Sequence, residues 1–225
     1  MSGPALAIMA RAPIPGQVKT RLQPHLTPEQ SADLYSAFLQ DTLDMAVSAR
    51  ACDVFLAFTP PHEEALFRRL APASVELFAQ AEGDLGQRMC RIFEQLHEEG
   101  HSPVVIVGTD IPTLQPRHLT GALERLRDHA VCLGPSRDGG YYLIGAHDIH
   151  PCLFQRVPWG TATVLQATLE RAKAAGLPVA LLDACSDIDT IEDLRRLGRE
   201  VDLLRGAPGS WVPHRTELRL KEINL

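Results

Sequence analysis

The feature that constrains this chain most is a regular alternation. Short, wholly apolar runs are separated by longer segments whose apolar residues recur at helical spacing. Ala5-Leu-Ala-Ile-Met-Ala10 is apolar throughout and stops at Arg11 and Pro13, as a strand covered on both faces does. A helix follows. Thr27 and Gln30 have the spacing of a capping box, Pro28 stands at the first helical position, and Leu34, Phe38, Leu39, Leu43 and Ala46 form one stripe. Further strands are predicted at Asp53–Thr59, Val75–Ala79, Pro103–Val107, Val131–Leu133, Tyr142–Ile144 and Val179–Leu182. Helices are predicted over His62–Leu70, 116–129, Thr161–Ala175 and Thr190–Leu204, and from a cap at Asp84 through His97. Repetition of this kind makes an α/β protein with a mostly parallel sheet and helices on both faces. One domain over residues 1–205 accounts for it, with a linker at Gly206-Ala-Pro-Gly-Ser210 and a C-terminal tail through residue 225.

With 225 residues the chain can bury roughly 70–75% of its extended surface and needs no staple. Five cysteines, none within a CxxC pair and odd in number, argue for reduced thiols in a cytoplasmic protein rather than a disulfide or zinc framework. No apolar run is long enough for a signal segment or a membrane span. The net charge of −6 argues against a nucleic-acid partner, which demands a surplus of Lys and Arg. The charge is uneven, however: residues 1–28 hold Arg11, Lys19 and Arg21 and none of the 28 acids. A basic island on an acidic protein fits one small anionic ligand, or a chance cluster of three charges.

In a doubly wound sheet, ligands bind outside the carboxyl ends of the strands. Four polar stretches fall at such ends: Arg11–Arg21, Gly108-Thr-Asp-Ile-Pro112, Ser136-Arg-Asp-Gly-Gly-Tyr-Tyr142 and Ser186-Asp-Ile-Asp-Thr190. In the first, Gly16 permits a turn that exposes backbone amides, and Lys19 and Arg21 supply a point charge and a planar fork suited to phosphate. The Walker A spacing is absent. Asp110, at the tip of an apolar run, needs a metal, a positive charge or backbone amides. With Asp187 and Asp189 it makes an oxygen-rich set of the kind Mg²⁺ prefers and Mn²⁺ tolerates, although Asp189 also suits a helix start. Asp138-Gly139-Gly140-Tyr141 fits either a rim for a small polar acceptor or a plain hairpin turn. His147 and His150 lack further zinc ligands, and no GxSxG or GxGxxG occurs.

Together these stretches resemble bacterial GT-A-like transferases of the DUF2064 type, relatives of the small nucleotidyltransferases that include the molybdenum-cofactor and 2-phospholactate enzymes. The resemblance runs from about Leu6 to Leu197 through Ala10–Leu22, Gln80–Met89, Gly108–Leu114, Asp138–Gly145, Val157–Thr161 and Asp187–Leu194. It implies a single Rossmann-like GT-A domain that binds a nucleotide with a divalent metal, Mg²⁺ or Mn²⁺. The first loop, from Ala10 and Arg11 through Gly16, would hold the phosphates, with Lys19 and Arg21 as charged contacts. Asp110 would correspond to the metal-binding aspartate, Asp187 and Asp189 to a second acidic cluster, and Asp84, Gly86 and Arg88 to a motif bordering the nucleotide. The acceptor side would comprise Asp138, Gly139, Gly140, Tyr141 and Trp159. Two departures stand out: Gly160 where the family usually has Ser, and Arg11 where Lys is more common.

Three functions follow. A glycosyltransferase would move a sugar from a nucleotide sugar to a small acceptor, with Lys19, Arg21, Asp110 and Asp138 as catalytic groups. A nucleotidyltransferase would pass NMP from a nucleoside triphosphate to a small phosphorylated acceptor and release pyrophosphate. A nucleotide-binding module without turnover is the third. The polar, aromatic rim at Asp138–Tyr141 favours sugar transfer. Nothing in the sequence addresses oligomeric state.

Overall fold

The structure, a computed structural model, describes residues 3–223. Seven strands form one sheet: β1 (Ala5–Arg11), β2 (Asp53–Thr59), β3 (Glu76–Ala79), β4 (Val104–Val107), β5 (Val131–Pro135), β6 (Tyr141–Ala146) and β7 (Val179–Leu181). Their order is β3-β2-β1-β4-β6-β5-β7, and every pairing is parallel except the two that β6 makes, with β4 and β5. The antiparallel strand has a simple cause. Only the turn Ser136–Gly140 joins β5 to β6, too short for the crossover a parallel pair requires. The expected mostly parallel α/β sheet is thus present, with one reversed strand inside it.

Helices cover both faces. On one side α1 (Pro28–Ala49), α2 (Glu64–Leu70) and α4 (Pro116–Arg125) bring Leu39, Leu43, Phe67 and Leu119 onto Leu6, Ile8, Leu56 and Val105 of the sheet. On the other, α3 (Leu85–Glu98) and α5 (Val164–Ala174) set Ile92, Phe93 and Ala172 against Ala7, Phe55 and Ile106. Successive residues of β1 and β4 therefore point into opposite cores, which is why both strands read as unbroken apolar runs.

Caps anticipated in the sequence, at Thr27, Asp84 and Thr190, close three helix starts reciprocally. Gln30 N–H donates to Thr27 Oγ1 at 3.1 Å while Thr27 N–H donates to Gln30 Oε1 at 2.9 Å, ahead of Pro28. Asp84 and Gln87 do the same for α3 at 2.8 and 2.9 Å. Each pair satisfies two amides that the helix itself leaves open.

The stretch after 205 is more than a tail. Helix α6 (Ile191–Gly206) runs to Gly206, and α7 (His214–Ile223) returns to pack on α1, sharing a small core of Leu34, Phe38, Leu197, Val201 and Leu220. Asp41, inside α1 and almost wholly buried, is the anchor. Its carboxylate accepts from Thr216 N–H at 2.7 Å and Arg215 N–H at 3.2 Å, two first-turn amides of α7. Nothing local in residues 206–225 announces this, because the partner lies 174 residues back. Among the described residues no helix is long and apolar enough to cross a membrane.

Asp41→Ala leaves both α7 amides without their acceptor, and a loss of about 1–3 kcal/mol is expected in urea unfolding. Asp41→Asn, which keeps one acceptor, should lose less. Equal stability of all three proteins would show that α7 docks through its apolar face alone.

Candidate functional site

Above the carboxyl ends of β1 and β4 lies a cleft of about 820 Å³, where chain direction diverges across the sheet. Its floor is built by the loop after β1. Gly16 takes φ +80°, a region an L side chain rarely enters, and turns the chain back over the sheet. Lys19 itself sits at φ 46°, ψ 40°, an unusual backbone for a residue with a side chain. That conformation drives the side chain inward.

The Lys19 ammonium ends 2.5 Å from Asp110 Oδ1 and 3.3 Å from Asp189 Oδ1, and it donates to Ile188 O at 2.6 Å. Only 4% of its side chain is exposed, and the Phe38 ring lies 5.9 Å beneath it. Burial pulls the lysine pKa down, but Asp110 and Asp189 together outweigh burial and raise it above the ordinary 10.5. All three ammonium donors are taken by protein oxygens. The expected phosphate-facing lysine is instead an internal clamp on two of the three proposed metal ligands.

Arg21, 76% exposed, bonds Asp189 Oδ2 at 3.1 Å from the solvent side. Asp110 keeps its second oxygen and half its surface open. Asp187 accepts from the Ser136 hydroxyl, and its pKa is raised, first by burial and then by Asp138 and Asp189 nearby. A second device holds the floor. The Tyr35 hydroxyl of α1 accepts from Arg11 N–H and from Thr109 Oγ1, each at 3.0 Å, tying the end of β1 to the residue before Asp110.

Across the cleft, Asp138 Oδ1 accepts from Gly140 N–H at 2.9 Å and shapes the β5–β6 turn. Gly139, at φ +92°, tucks under the following loop; a Cβ there would lie 2.0 Å from Ala162 O. Trp159 meets Tyr141 edge-on at 6.4 Å and presses on Gly86, where a Cβ would strike its ring at 2.6 Å.

Of the residues anticipated from sequence, Ala10, Arg11, Lys19, Arg21, Arg88, Asp110, Asp138, Gly140, Tyr141, Trp159, Asp187 and Asp189 all line this one cleft. Gly16, Asp84, Gly86 and Gly139 stand behind it. Asp84 spends its carboxylate capping α3, and the glycines serve backbone shape and close packing. Gln80, Thr109 and Ser136, which belong to the stretches singled out in the sequence without a role of their own, also line the cleft, as does Tyr35 of α1, which no motif indicated. Their partners lie 23 to 74 residues away, beyond any local pattern. Among the described residues, no three His, Cys, Asp or Glu side chains converge as a ready-made metal cage.

The chain is similar to the 3-phospho-D-glycerate guanylyltransferase of Phenylobacterium zucineum (strain HLK1), 29% identical over 80% of this chain and 84% of that one. It is also similar to the 2-phospho-L-lactate guanylyltransferase of Methanosarcina barkeri (strain Fusaro / DSM 804), 28% identical over 80% of each. A candidate nucleotide-diphospho-sugar transferase from Desulfovibrio desulfuricans G20 superposes with a TM-score of 0.88 at 32% identity, covering 100% of this chain and 96% of that one. Fold, cleft and relatives define a transferase built on the nucleotide-diphospho-sugar transferase architecture. Within it the chain belongs to the DUF2064 family, described as uncharacterized proteins conserved in bacteria, whose model matches residues 42–161.

Lys19→Met preserves much of the buried volume while leaving Asp110 and Asp189 facing each other uncompensated. A loss of about 1–3 kcal/mol at neutral pH is expected in urea unfolding. Because the folded pKa lies above 10.5, the contribution is complete below that value and fades as pH climbs through the raised one. Wild type and Lys19→Met should therefore converge in strongly alkaline buffer. A constant gap across that range would remove the ion pair as its source.

Proposed function

We propose that this protein is a nucleotidyltransferase that passes a guanylyl group from GTP to a small phosphorylated hydroxy acid and releases pyrophosphate. The observation that carries the choice is that two relatives, aligned over four-fifths of this chain, share guanylyl transfer. The cleft supports it. Arg11, Arg21 and Arg88 line it together with the carboxylates of Asp110, Asp138, Asp187 and Asp189. Cations bind a triphosphate, and Arg forks do so bidentately.

In the proposed reaction an oxygen of the acceptor phosphate attacks the α-phosphorus of GTP. The new P–O bond forms as the bond to the β-phosphate bridging oxygen breaks, and the electron pair leaves with pyrophosphate. Binding and orientation carry most of the acceleration, since no protein nucleophile is required. Arg21 is held by Asp189, so its fork is pre-set at the phosphate end. Lys19 fixes Asp110 and Asp189 in place and keeps their mutual repulsion in check.

The donor set also fits a divalent cation. Mg²⁺ takes one or two carboxylates and fills its remaining positions with phosphate oxygens and water, so a full protein cage is not required. Asp110, through its free oxygen, and Asp187 are the residues that would hold it, with Asp189 already engaged by Lys19 and Arg21. When bound, such an ion neutralises phosphate charge as the leaving group departs.

Sugar transfer has one specific observation in its favour, the likeness to the candidate nucleotide-diphospho-sugar transferase. The leaving group separates the two chemistries. Incubated with Mg²⁺, GTP and phosphorylated hydroxy acids, the protein is expected to release pyrophosphate and no nucleoside diphosphate. Turnover of a nucleotide sugar to nucleoside diphosphate, with GTP untouched, would overturn the proposal in favour of sugar transfer. EDTA is expected to abolish turnover and excess Mg²⁺ or Mn²⁺ to restore it; activity undiminished by EDTA would remove the cation from the scheme.

A further inference from the structure

We infer that Gln80 is the base-reading residue of the cleft, and that its side-chain oxygen accepts from the N1–H and N2–H₂ donors on the edge of guanine. The inference rests on the nucleotidyltransferase reading above and deepens it by naming the residue that selects the base.

Gln80 immediately follows β3 and is 8% exposed. Its backbone N–H donates to Phe58 O at 2.7 Å, which extends the β2–β3 ladder by one residue and fixes where the side chain starts. Its amide nitrogen then reaches across two strands, donating to Ala57 O of β2 at 2.7 Å and to Ala10 O of β1 at 3.2 Å. Both amide hydrogens are thereby spent on backbone carbonyls. Reversing the amide would press its oxygen against those same two carbonyl oxygens, so the backbone itself determines which end faces out. The oxygen has no hydrogen-bond partner among the described residues. It is also absent from the sealed, unpartnered polar atoms of the interior, so it opens into the cleft that Gln80 lines.

A fixed acceptor at the bottom of a cleft is a reader of donors. It sits under the ends of β1 and β2, while Lys19 and Asp110 occupy the crevice between β1 and β4, one strand spacing of about 4.8 Å further along the sheet. A nucleoside laid across the strand ends can place its base over Gln80 and its phosphates toward the cations. Leu85, which lines the same cleft, is a large apolar side chain that remains 46% exposed and offers a flat wall to a base. Guanine presents two adjacent donors, N1–H and N2–H₂, to a single acceptor. Hypoxanthine lacks the second. Hypoxanthine keeps N1–H, so the Gln80 oxygen stays paired and the difference between the two bases is one hydrogen bond.

The test is nucleotide binding by calorimetry in the presence of Mg²⁺, with GTP and ITP as the ligand pair. Wild type is expected to bind GTP about fivefold or more tighter than ITP, the range of one hydrogen bond. Gln80→Leu is expected to weaken GTP and bring the GTP to ITP ratio close to one, a readout that general loosening of the site does not produce. An unchanged ratio in Gln80→Leu overturns the inference. So does wild type that binds ITP as tightly as GTP, and that measurement needs no variant to fold. Wild type that binds no nucleoside triphosphate at all marks instead the failure of the nucleotidyltransferase reading on which the inference stands.

Discussion

The cleft depends on one buried ammonium. Lys19 joins three segments that are remote in the chain: the loop after β1, Asp110 beyond β4, and Ile188–Asp189 ahead of α6. A lysine almost wholly removed from water is costly unless opposite charge and hydrogen bonds surround it, and here they do. The left-handed backbone at Lys19 persists because these contacts over-determine it. The same three bonds hold two carboxylates close together without letting them repel one another apart. The second oxygen of Asp110 stays open to a ligand, while that of Asp189 is held by Arg21. The clamp therefore does two jobs: it closes the fold over the strand ends and pre-arranges the acids that face the cleft.

How far this was legible in the sequence depends on the range of each interaction. Strands β1, β2 and β4 were readable because burial on both faces leaves a continuous apolar run, and α1, α3 and α6 because their caps lie within four residues of one another. Even the reversed β6 was implicit in the short glycine turn before it. Placement at strand ends also anticipated that these acids and cations share one cleft. What they do to each other was not legible. Lys19 reads locally as a phosphate ligand, and only contacts spanning 170 residues reveal it as an internal clamp. Asp84 reads both as the α3 cap and, through the resemblance, as part of a motif bordering the nucleotide, and its carboxylate makes the cap. Helix α7 reads as a tail because Asp41, which caps it, belongs to the first helix.

The glycines divide in the same way. Gly16 was recognisable as a turn residue from its neighbours Pro15 and Lys19. Gly86 and Gly139 owe their places to Trp159 and to Ala162 O, contacts made only once the sheet has assembled. They are matched pairs: a small residue on one element admits a bulky or backbone group from another, and the two sides of the cleft are held at a fixed separation. A cleft so braced gains its binding energy without first ordering its walls.

That rigidity bears on the choice between transferring a nucleotidyl group and transferring a sugar. Both reactions need the same cations, and they differ in where the breaking bond lies along the ligand. With a base seated on Gln80, the α-phosphorus is the first reactive centre met on moving from β1 toward β4, where Arg11, Lys19 and Asp110 gather. A sugar donor must extend one phosphate further before its anomeric carbon arrives, which carries the reacting atoms toward Asp138, Tyr141 and Trp159. The charge distribution suits the proposed nucleotidyl transfer better. Asp187, whose pKa is raised first by burial, lies with Asp110 and Asp189 where a cation and a triphosphate can balance them. The opposite rim offers an edge-on aromatic pair and a turn whose Asp138 is already engaged with Gly140. On the proposed reading, the charges gathered at Lys19, Asp110 and Asp189 lie nearest the bond that nucleotidyl transfer breaks.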